Sequence, residues 1–424
     1  MTHLIIGSAF FVVLFILISL EVANKTVLSL LGAALFIGMG IIEQHLAFEE
    51  VDWNVVFLLI GMMVIVGVTK RSGLYQYIAI KSAKAVGGDP VKILILFSLL
   101  TAVLSAFLDN VTTVLILTPV MILIAVELGL SPTPFVISSA LASNIGGTAT
   151  LIGDPPNIMI GSAAQLGFTD FLVNLGPLVL ILLVVHCALI LLFFQKKMKV
   201  SMERRARVMD FDEKAALTDT TVLIKSLSVL GLVILGFLTH GITKIEPATI
   251  ALGGAALLML LVGGEEVEEF FHEVEWGTIF FFIGLFIMVG GLVELGVIEM
   301  MANAYLGWTA GDITLTSQSI IWLSGVLSSL LDNIPYVATM IPLVEHMSNE
   351  LGGAAIEPVW WSLALGSCLG GNGTLIGASA NVVSCGISSR SGYKISFLEF
   401  TKYGVIVMCI TLAIASLYVR FRYL

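Results

Sequence analysis

The chain has 424 residues, of which 58% are hydrophobic and 12% are charged, with a mean hydropathy of +1.04 and a formal net charge of −10. Soluble domains carry about 25% charged residues, so this composition excludes a soluble globular fold and predicts an all-α polytopic membrane protein. The acidic balance, without a basic face, also excludes a nucleic-acid-binding protein.

Apolar runs long enough to cross a membrane recur along the chain. The first starts at Leu4 without a basic n-region or a small-residue cleavage site, which indicates a retained helix rather than a signal peptide. Four of the longer runs are interrupted by Asp, Asn, Gly or Pro, which predicts broken or re-entrant helices. The runs cover residues 4–20, 26–42, 53–69, 91–127, 134–165, 172–194, 222–240, 246–262, 276–293, 315–346, 358–388 and 403–419.

One long hydrophilic segment, residues 195–221, separates two similar halves. VDWNVVFLLIGMMVIVGVTKRSGL (51–74) aligns with VEWGTIFFFIGLFIMVGGLVELGV (274–297) at an offset of 223, and the same offset places Asp109-Asn110 on Asp332-Asn333. One residue later in register, SNIGGTATLIGDPPN (143–157) aligns with SCLGGNGTLIGASAN (367–381). The chain is therefore predicted to be a duplication: a first transmembrane repeat at 1–194, a linker at 195–221 and a second repeat at 222–424.

The distribution of Lys and Arg predicts that the second repeat is inverted. The loop after the Trp53 run is rich in them, whereas its counterpart, residues 293–315, has none. The linker region 195–225 has eight. By the positive-inside rule the first loop and the linker are cytoplasmic and the counterpart is external, which requires an odd number of crossings per half. Arg420 and Arg422 would then lie outside, against the rule.

Two kinds of polar interruption occur in each half. The Leu-Asp-Asn turn between apolar arms predicts a re-entrant helical hairpin with the acid at its tip, and the Gly-rich stretches 143–157 and 367–381 predict a broken transmembrane helix. Inverted repeats with broken helices are typical of secondary transporters, whose sites lie where the repeats meet. Intramembrane carboxylates are costly and mark proton or ion paths.

These interruptions supply the candidate site residues. The predicted proton- or cation-coupling residues are Asp109, Asp332, Asn110 and Asn333. The predicted substrate-binding residues are Ser143, Asn144, Thr148, Thr150, Asn157, Ser367, Asn372, Thr374 and Asn381. A sodium ion is the one metal considered, near Asp109, Asn144, Asp332 and Asn372, and no cofactor is expected.

Structural roles compete with these assignments. Asp109 and Asp332 are also in position to cap the helix that follows each of them, a role compatible with coupling. Asn157 and Asn381 could serve only to satisfy loose backbone groups. Asp154 aligns with Ala378, so it either breaks the symmetry of the site or sits at the mouth of the cavity.

At these residues the sequence resembles the ion transporter superfamily, and within it the branch of arsenite efflux permeases, NhaD-type sodium/proton antiporters and the melanosomal P protein. The Asp-Asn hairpin tips and SNIGGTATLIGDPPN carry the resemblance, which covers nearly the whole chain. It implies a scaffold layer and a transport layer, a homodimer in many relatives, and a site between the two hairpins and the two broken helices. Whether a soluble ATPase partner docks on the linker stays open.

The resemblance and the site chemistry favour proton-coupled efflux of arsenite or antimonite across the bacterial inner membrane. Neutral arsenite needs donors and acceptors but no fixed cation, and the predicted lining contains no Lys or Arg. Sodium/proton antiport is the alternative, because carboxylates and hydroxyls suit Na⁺ equally well. A sodium-coupled dicarboxylate or anion permease is less well supported, since Ser143-Asn144 is followed by Ile and Ser367 by Cys. An intramembrane aspartyl protease would not require the duplicated breaks, so no enzyme activity is expected.

Overall fold

The computed structural model describes residues 2–19, 22–262, 268–352 and 356–424. Leu20, at the end of the first predicted run, lies outside these ranges. Within them the regular structure is entirely helical, which confirms the predicted fold class. The helices are α1 Thr2–Ser19, α2 Lys25–Gly38, α3 Gln44–Glu49, α4 Trp53–Arg71, α5 Leu74–Ala85, α6 Pro90–Phe107, α7 Asn110–Glu127, α8 Thr133–Gly147, α9 Pro155–Ala163, α10 Phe168–Phe194, α11 Met202–Met209, α12 Thr220–Thr243, α13 Pro247–Val262, α14 Glu268–Phe271, α15 Trp276–Glu294, α16 Val297–Thr309, α17 Ile313–Leu330, α18 Asn333–Leu351, α19 Glu357–Gly370, α20 Ser379–Arg390 and α21 Phe397–Tyr423.

Eight of the described helices are long and apolar enough to cross a membrane, namely α4, α6, α7, α10, α12, α15, α17 and α21. Three shorter apolar helices, α1, α2 and α13, accompany them. Each long helix exposes apolar side chains on its outer surface, such as Leu180 on α10 and Leu417 on α21. The chain is a multi-pass membrane protein, as its composition predicts.

The local structure repeats at the offset found in the sequence. Gly73 follows α4 and Gly296 follows α15, and both adopt a left-handed backbone with φ of +78° and +71°, which glycine tolerates without a steric cost. Asp89 caps α6 by accepting hydrogen bonds from two backbone N–H groups at 3.0 and 3.2 Å, and Asp312 caps α17 in the same way at 2.7 and 3.1 Å.

Contacts at both ends of α4 and α15 show that the two repeats are inverted. Arg71, the last residue of α4, donates to Glu273 at 2.8 Å, just before α15, and to Glu269 at 3.1 Å, on the short helix α14 that precedes it. At the other end, a Cβ at Gly290, late in α15, would lie 2.4 Å from Cγ of Glu50, which precedes α4. The end of one helix therefore lies beside the start of the other, so α4 and α15 run in opposite directions.

The halves interleave, because α2 packs along α15 of the second half and α13 packs along α4 of the first. The boundary at 195–221 therefore divides the sequence into two repeats but does not separate two structural units, because each half contributes helices to the core of the other.

The linker 195–221 packs on the ends of α5 and α6. Lys84 Nζ lies 2.5 Å from Glu213 Oε2, and Arg205 pairs with Asp89 at 3.1 Å. The linker and the basic 70–92 region thus share one side of the molecule, hereafter the linker face. Arg422 contacts Asn174 at the start of α10, the end remote from the linker, so the C-terminal arginines lie on the opposite face and remain the exception to the charge rule.

Candidate functional site

The two Leu-Asp-Asn turns form helical hairpins, as predicted. The first hairpin, residues 90–127, consists of α6 and α7 joined at Asp109, and the second, residues 313–351, consists of α17 and α18 joined at Asp332. Asp109 accepts a hydrogen bond from the Thr112 backbone N–H at 2.8 Å, and Asp332 accepts one from Ile334 at 3.3 Å. Both acids therefore cap the helix that follows them.

Each Gly-rich stretch interrupts a helix, also as predicted. The first break, residues 148–154, lies between α8 and α9, and the second, residues 371–378, lies between α19 and α20. Gly146 and Gly370 lie just before the breaks, against α6 and α17. A Cβ at Gly146 would approach the Ala102 carbonyl oxygen to 2.1 Å, and one at Gly370 would approach the Gly325 oxygen to 2.6 Å. Only glycine lets the broken helix pack this closely on the hairpin.

Hydroxyl groups tie each break to the hairpin of its own half. Thr150 donates to the Ala106 carbonyl, and its counterpart Thr374 donates to the Ser329 carbonyl at 2.5 Å. From the hairpins, the Ser105 hydroxyl donates to the Ser143 carbonyl and the Ser328 hydroxyl donates to the Ser367 carbonyl, both at 2.7 Å. The remaining predicted hydroxyls also bond to backbone carbonyls of their own helices, namely Ser143, Thr148 and Ser367. These five residues lie at the site, and their hydroxyls are engaged in holding its backbone.

Side-chain amides join the two halves. Asn144 Nδ2 on α8 donates to Asn372 Oδ1 at 3.0 Å and to Asn381 Oδ1 at 3.1 Å. Asn110, at the first hairpin tip, donates to Asn144 Oδ1 at 3.2 Å. At the position equivalent to Asn144, the Cys368 thiol donates to Asn157 Oδ1 at 3.4 Å. The structure thus brings the predicted residues of both breaks and the first tip into one buried cluster.

Asn157 and Asn381 also satisfy loose backbone. Asn157 Nδ2 donates to the Thr150 carbonyl at 2.9 Å, and Asn381 Nδ2 donates to the Thr374 carbonyl at 3.0 Å. Their side-chain oxygens accept hydrogen bonds from the opposite half, from Cys368 and Asn144 respectively. The backbone-satisfying role is therefore present, and their part in substrate binding stays a prediction.

Asp154 lies inside the site rather than at a cavity mouth. Its side chain is fully buried at the start of α9, and Asn333 Nδ2 from the second hairpin tip contacts its two carboxylate oxygens at 3.3 and 3.4 Å. Asp109 and Asp332 lie close enough for their charges to act on it. Three carboxylates therefore share the region where the halves meet.

The expectation of a lining without Lys or Arg is wrong. Lys25, the first residue of α2, places Nζ 2.9 Å from Asp332 Oδ2 and 3.0 Å from Ser379 Oγ. The repeat gave no sign of it, because Lys25 aligns with Ala248, and a Lys at the start of an apolar run is ordinarily assigned to the membrane interface.

Some buried polar atoms at the site lack partners within the described part of the chain. These are Asn110 Oδ1, an acceptor; Asn372 Nδ2, a donor; and Thr113 Oγ1, a hydroxyl on α7. Buried polar groups are almost always hydrogen-bonded, so such atoms at a buried cluster point to a solute or to water. The described ranges contain no group of three or more His, Cys, Asp or Glu side chains suited to hold a metal ion. A Na⁺ ion near Asp109, Asn144, Asp332 and Asn372 stays a prediction.

Hairpins entering from opposite faces, broken helices between them and a buried polar site at their meeting point define a membrane transporter. The sequence matches the citrate transporter family model over residues 15–366, and the chain belongs to this family. The family is one of transporters.

Curated relatives cover the whole chain. An uncharacterized transporter of Mycobacterium tuberculosis is 44% identical over 424 residues, covering 99% of this chain and 98% of the relative. A 46 kDa membrane protein of Mycobacterium leprae is 42% identical, with 99% of each chain covered. The human P protein is 31% identical over 98% of this chain and 60% of its own length. The bacterial relatives are consistent with a location in the plasma membrane.

A solved structure shares the fold. The Alcanivorax borkumensis YdaH transporter superposes with a TM-score of 0.61 over 86% of this chain and 84% of its own, at 12% identity. The family match and the relatives confirm the resemblance to the ion transporter superfamily and to the P protein. The finer assignment to the arsenite-permease and NhaD branch stays a prediction.

Proposed function

We propose that this chain is a proton-coupled secondary transporter for a small solute without net negative charge, and that efflux of arsenite or antimonite is the first candidate. The observation that carries the proposal is the buried amide cluster, which offers an unpartnered acceptor at Asn110 Oδ1 and an unpartnered donor at Asn372 Nδ2. Asn144 links the two residues, because it accepts from Asn110 of its own half and donates to Asn372 of the other half.

Arsenite suits this chemistry because the neutral molecule carries three hydroxyl groups, each able to donate and accept hydrogen bonds. One hydroxyl would donate to Asn110 Oδ1 while another accepted from Asn372 Nδ2. Burial makes such pairing selective, since an unpaired amide in a site shielded from water costs about 1–3 kcal/mol. Asp109 and Asp332 at the hairpin tips are the proposed proton carriers.

Sodium/proton exchange is the second candidate, and the charge of the site favours it. Asp109, Asp154 and Asp332 face a single ammonium, that of Lys25, within the described ranges. A site with more carboxylates than cations attracts a cation, and a proton competes with Na⁺ for the same oxygens.

A citrate trianion fits this site poorly by itself, although the family is described as one of citrate transporters. Three carboxylates would repel a tricarboxylate at close range. Citrate would enter this site only with a neutralising metal cation, and a sodium-coupled anion permease remains the third candidate.

Solute uptake into proteoliposomes under an imposed pH gradient tests the proposal. We expect uptake of arsenite or antimonite, and a loss of at least about ten-fold in Asn372→Ala, because a hydrogen bond to a buried partner contributes more than about 1.4 kcal/mol there. Asn174→Ala, near the start of α10 and outside the amide cluster, is the matched control. Uptake of citrate with Mg²⁺ and of no metalloid would reject the proposed solute class. A homodimer and a soluble ATPase docked on the linker remain proposals from the resemblance.

A further inference from the structure

Lys25 reaches across the molecule to the tip of the second hairpin. Its ammonium lies 2.9 Å from Asp332 Oδ2, and Ser379 Oγ donates to the same oxygen at 3.0 Å. The two charged side chains are 26% and 12% exposed, so water screens them little. Attraction between opposite charges is stronger in such a setting than at a protein surface.

The repeat does not reproduce this ion pair. In the aligned halves, Lys25 corresponds to Ala248, Asp332 to Asp109, and Ser379 to Pro155. In the described ranges no Lys or Arg forms an ion pair with Asp109, whose carboxylate accepts from the Thr112 backbone. One hairpin tip is therefore paired with a lysine, whereas the carboxylate of its counterpart accepts a hydrogen bond from the Thr112 backbone.

Groups from α15 and from the start of α9 surround this ion pair in the described part of the chain. Lys25 Nζ lies 5.1 Å from the centre of the Phe281 ring on α15, and its charge acts on Glu275 at the start of that helix. On the other side, Asp154 at the start of α9 is close enough to interact with both Asp332 and Asp109. Asp332 is thus attracted by one ammonium and repelled by neighbouring carboxylates.

We propose that Lys25 competes with the proton for Asp332 and so links protonation of Asp332 to the position of the second hairpin tip, an inference that rests on the proton-coupled transport proposed above. In this structure the ammonium occupies the Asp332 carboxylate and holds the hairpin tip against α2. A proton that binds Asp332 neutralises the carboxylate and removes the attraction, which frees the tip from α2. Ammonium and proton therefore compete for one carboxylate.

Release of the hairpin tip from Lys25 would change a contact at the buried polar site. Asn333, the next residue, donates to Asp154, so a tip that leaves Lys25 also moves an amide bound to the central carboxylate. Because α2 is packed along α15, the ammonium is anchored on helices that do not belong to the hairpin.

The pH dependence of solute-driven proton flux in proteoliposomes tests this inference. In Lys25→Gln we expect the optimum to rise by about one pH unit, because a carboxylate deprived of its cation holds a proton more tightly. Lys25→Arg should restore the wild-type profile. Lys225→Gln removes the same charge from α12, where Nζ donates to a backbone carbonyl at 2.6 Å, and should leave the profile unchanged.

Carbodiimide labelling supplies a readout independent of transport. The reagent modifies neutral carboxyl groups, so Lys25→Gln should increase labelling of Asp332 several-fold, quantified by peptide mass spectrometry, while labelling of Asp109 stays constant. Unchanged labelling of Asp332, or an unchanged pH profile in a folded and active Lys25→Gln protein, would overturn the inference. Absence of proton flux in the wild type with every solute would reject the proposed function, and the labelling comparison would still decide the role of Lys25.

Discussion

The amide of Asn144 donates a hydrogen bond to Oδ1 of Asn381, 3.1 Å away on the opposite half of the molecule. The two residues are 237 positions apart, and each belongs to the broken helix of its repeat. At the equivalent place in the other half, Cys368 and Asn157 form the reciprocal contact. The site is therefore built on the axis of the internal repeat, with an amide on one side and a thiol on the other.

Asp332→Asn is expected to abolish proton-coupled transport while the protein stays folded. The amide keeps the shape of the side chain and its capping acceptor, but it carries no proton across the membrane. Proton flux in proteoliposomes should fall to the level of empty liposomes, with an unchanged elution profile in size-exclusion chromatography. Full proton coupling in this variant would reject Asp332 as a coupling residue.

Gly146→Ala is expected to destabilise the protein by more than about 2 kcal/mol, since the added methyl group would meet backbone on α6 rather than a mobile side chain. Gly386→Ala on α20 is the matched control, because nothing lies within 4 Å of the added Cβ. The control should be neutral or slightly stabilising, as Ala favours helix over Gly by about 1 kcal/mol. Thermal unfolding in detergent measures both, and equal midpoints would contradict the close packing of α8 on the hairpin.

Thr374→Val is expected to destabilise the second break by about 1–2 kcal/mol, because the Ser329 carbonyl loses a buried donor. Thr374→Ser retains the hydroxyl and should lose less. If Thr374→Val instead left stability unchanged and weakened only solute affinity, Thr374 would contact the solute directly, as predicted from the sequence. The hydrogen bond from Thr374 to the Ser329 carbonyl would then contribute little to stability.

The attachment of the linker is expected to weaken in acid. The hydrogen bond from Lys84 holds the pKa of the Glu213 carboxyl below its ordinary value of 4.5. A carboxyl with a lowered pKa in the folded state stabilises that state at higher pH, and this contribution is lost as the pH falls below 4.5 through the lowered pKa.

Hydrogen exchange of residues 201–216, corrected for the intrinsic effect of pH, measures this attachment. Exchange should accelerate in the wild type on acidification, and Lys84→Gln should exchange faster at neutral pH with a smaller change in acid. An acid response that Lys84→Gln leaves unaltered would assign the effect to another group.

Much of this architecture could be predicted because its signals are local. Leu-Asp-Asn and the glycine clusters break apolar runs within a few residues, and the offset between the halves then reveals the inverted repeat. Contacts that depend on how distant helices pack could not be predicted in this way. Lys25 and Asp332 are 307 positions apart, and Asn333 and Asp154 are 179 apart. Neither contact is repeated in the other half, since Ala248 and Ala378 occupy the equivalent positions.

The most direct test of the central claim records lumenal pH in proteoliposomes that contain the purified protein, while arsenite, antimonite, Na⁺, Li⁺ and citrate are added separately across a pH gradient. The account predicts proton movement evoked by arsenite or antimonite and its loss in Asp332→Asn. A response to Na⁺ or Li⁺ alone would contradict metalloid transport and indicate that the protein is a cation/proton antiporter. A response to citrate alone, with no metal cation present, would contradict a site that excludes net negative charge.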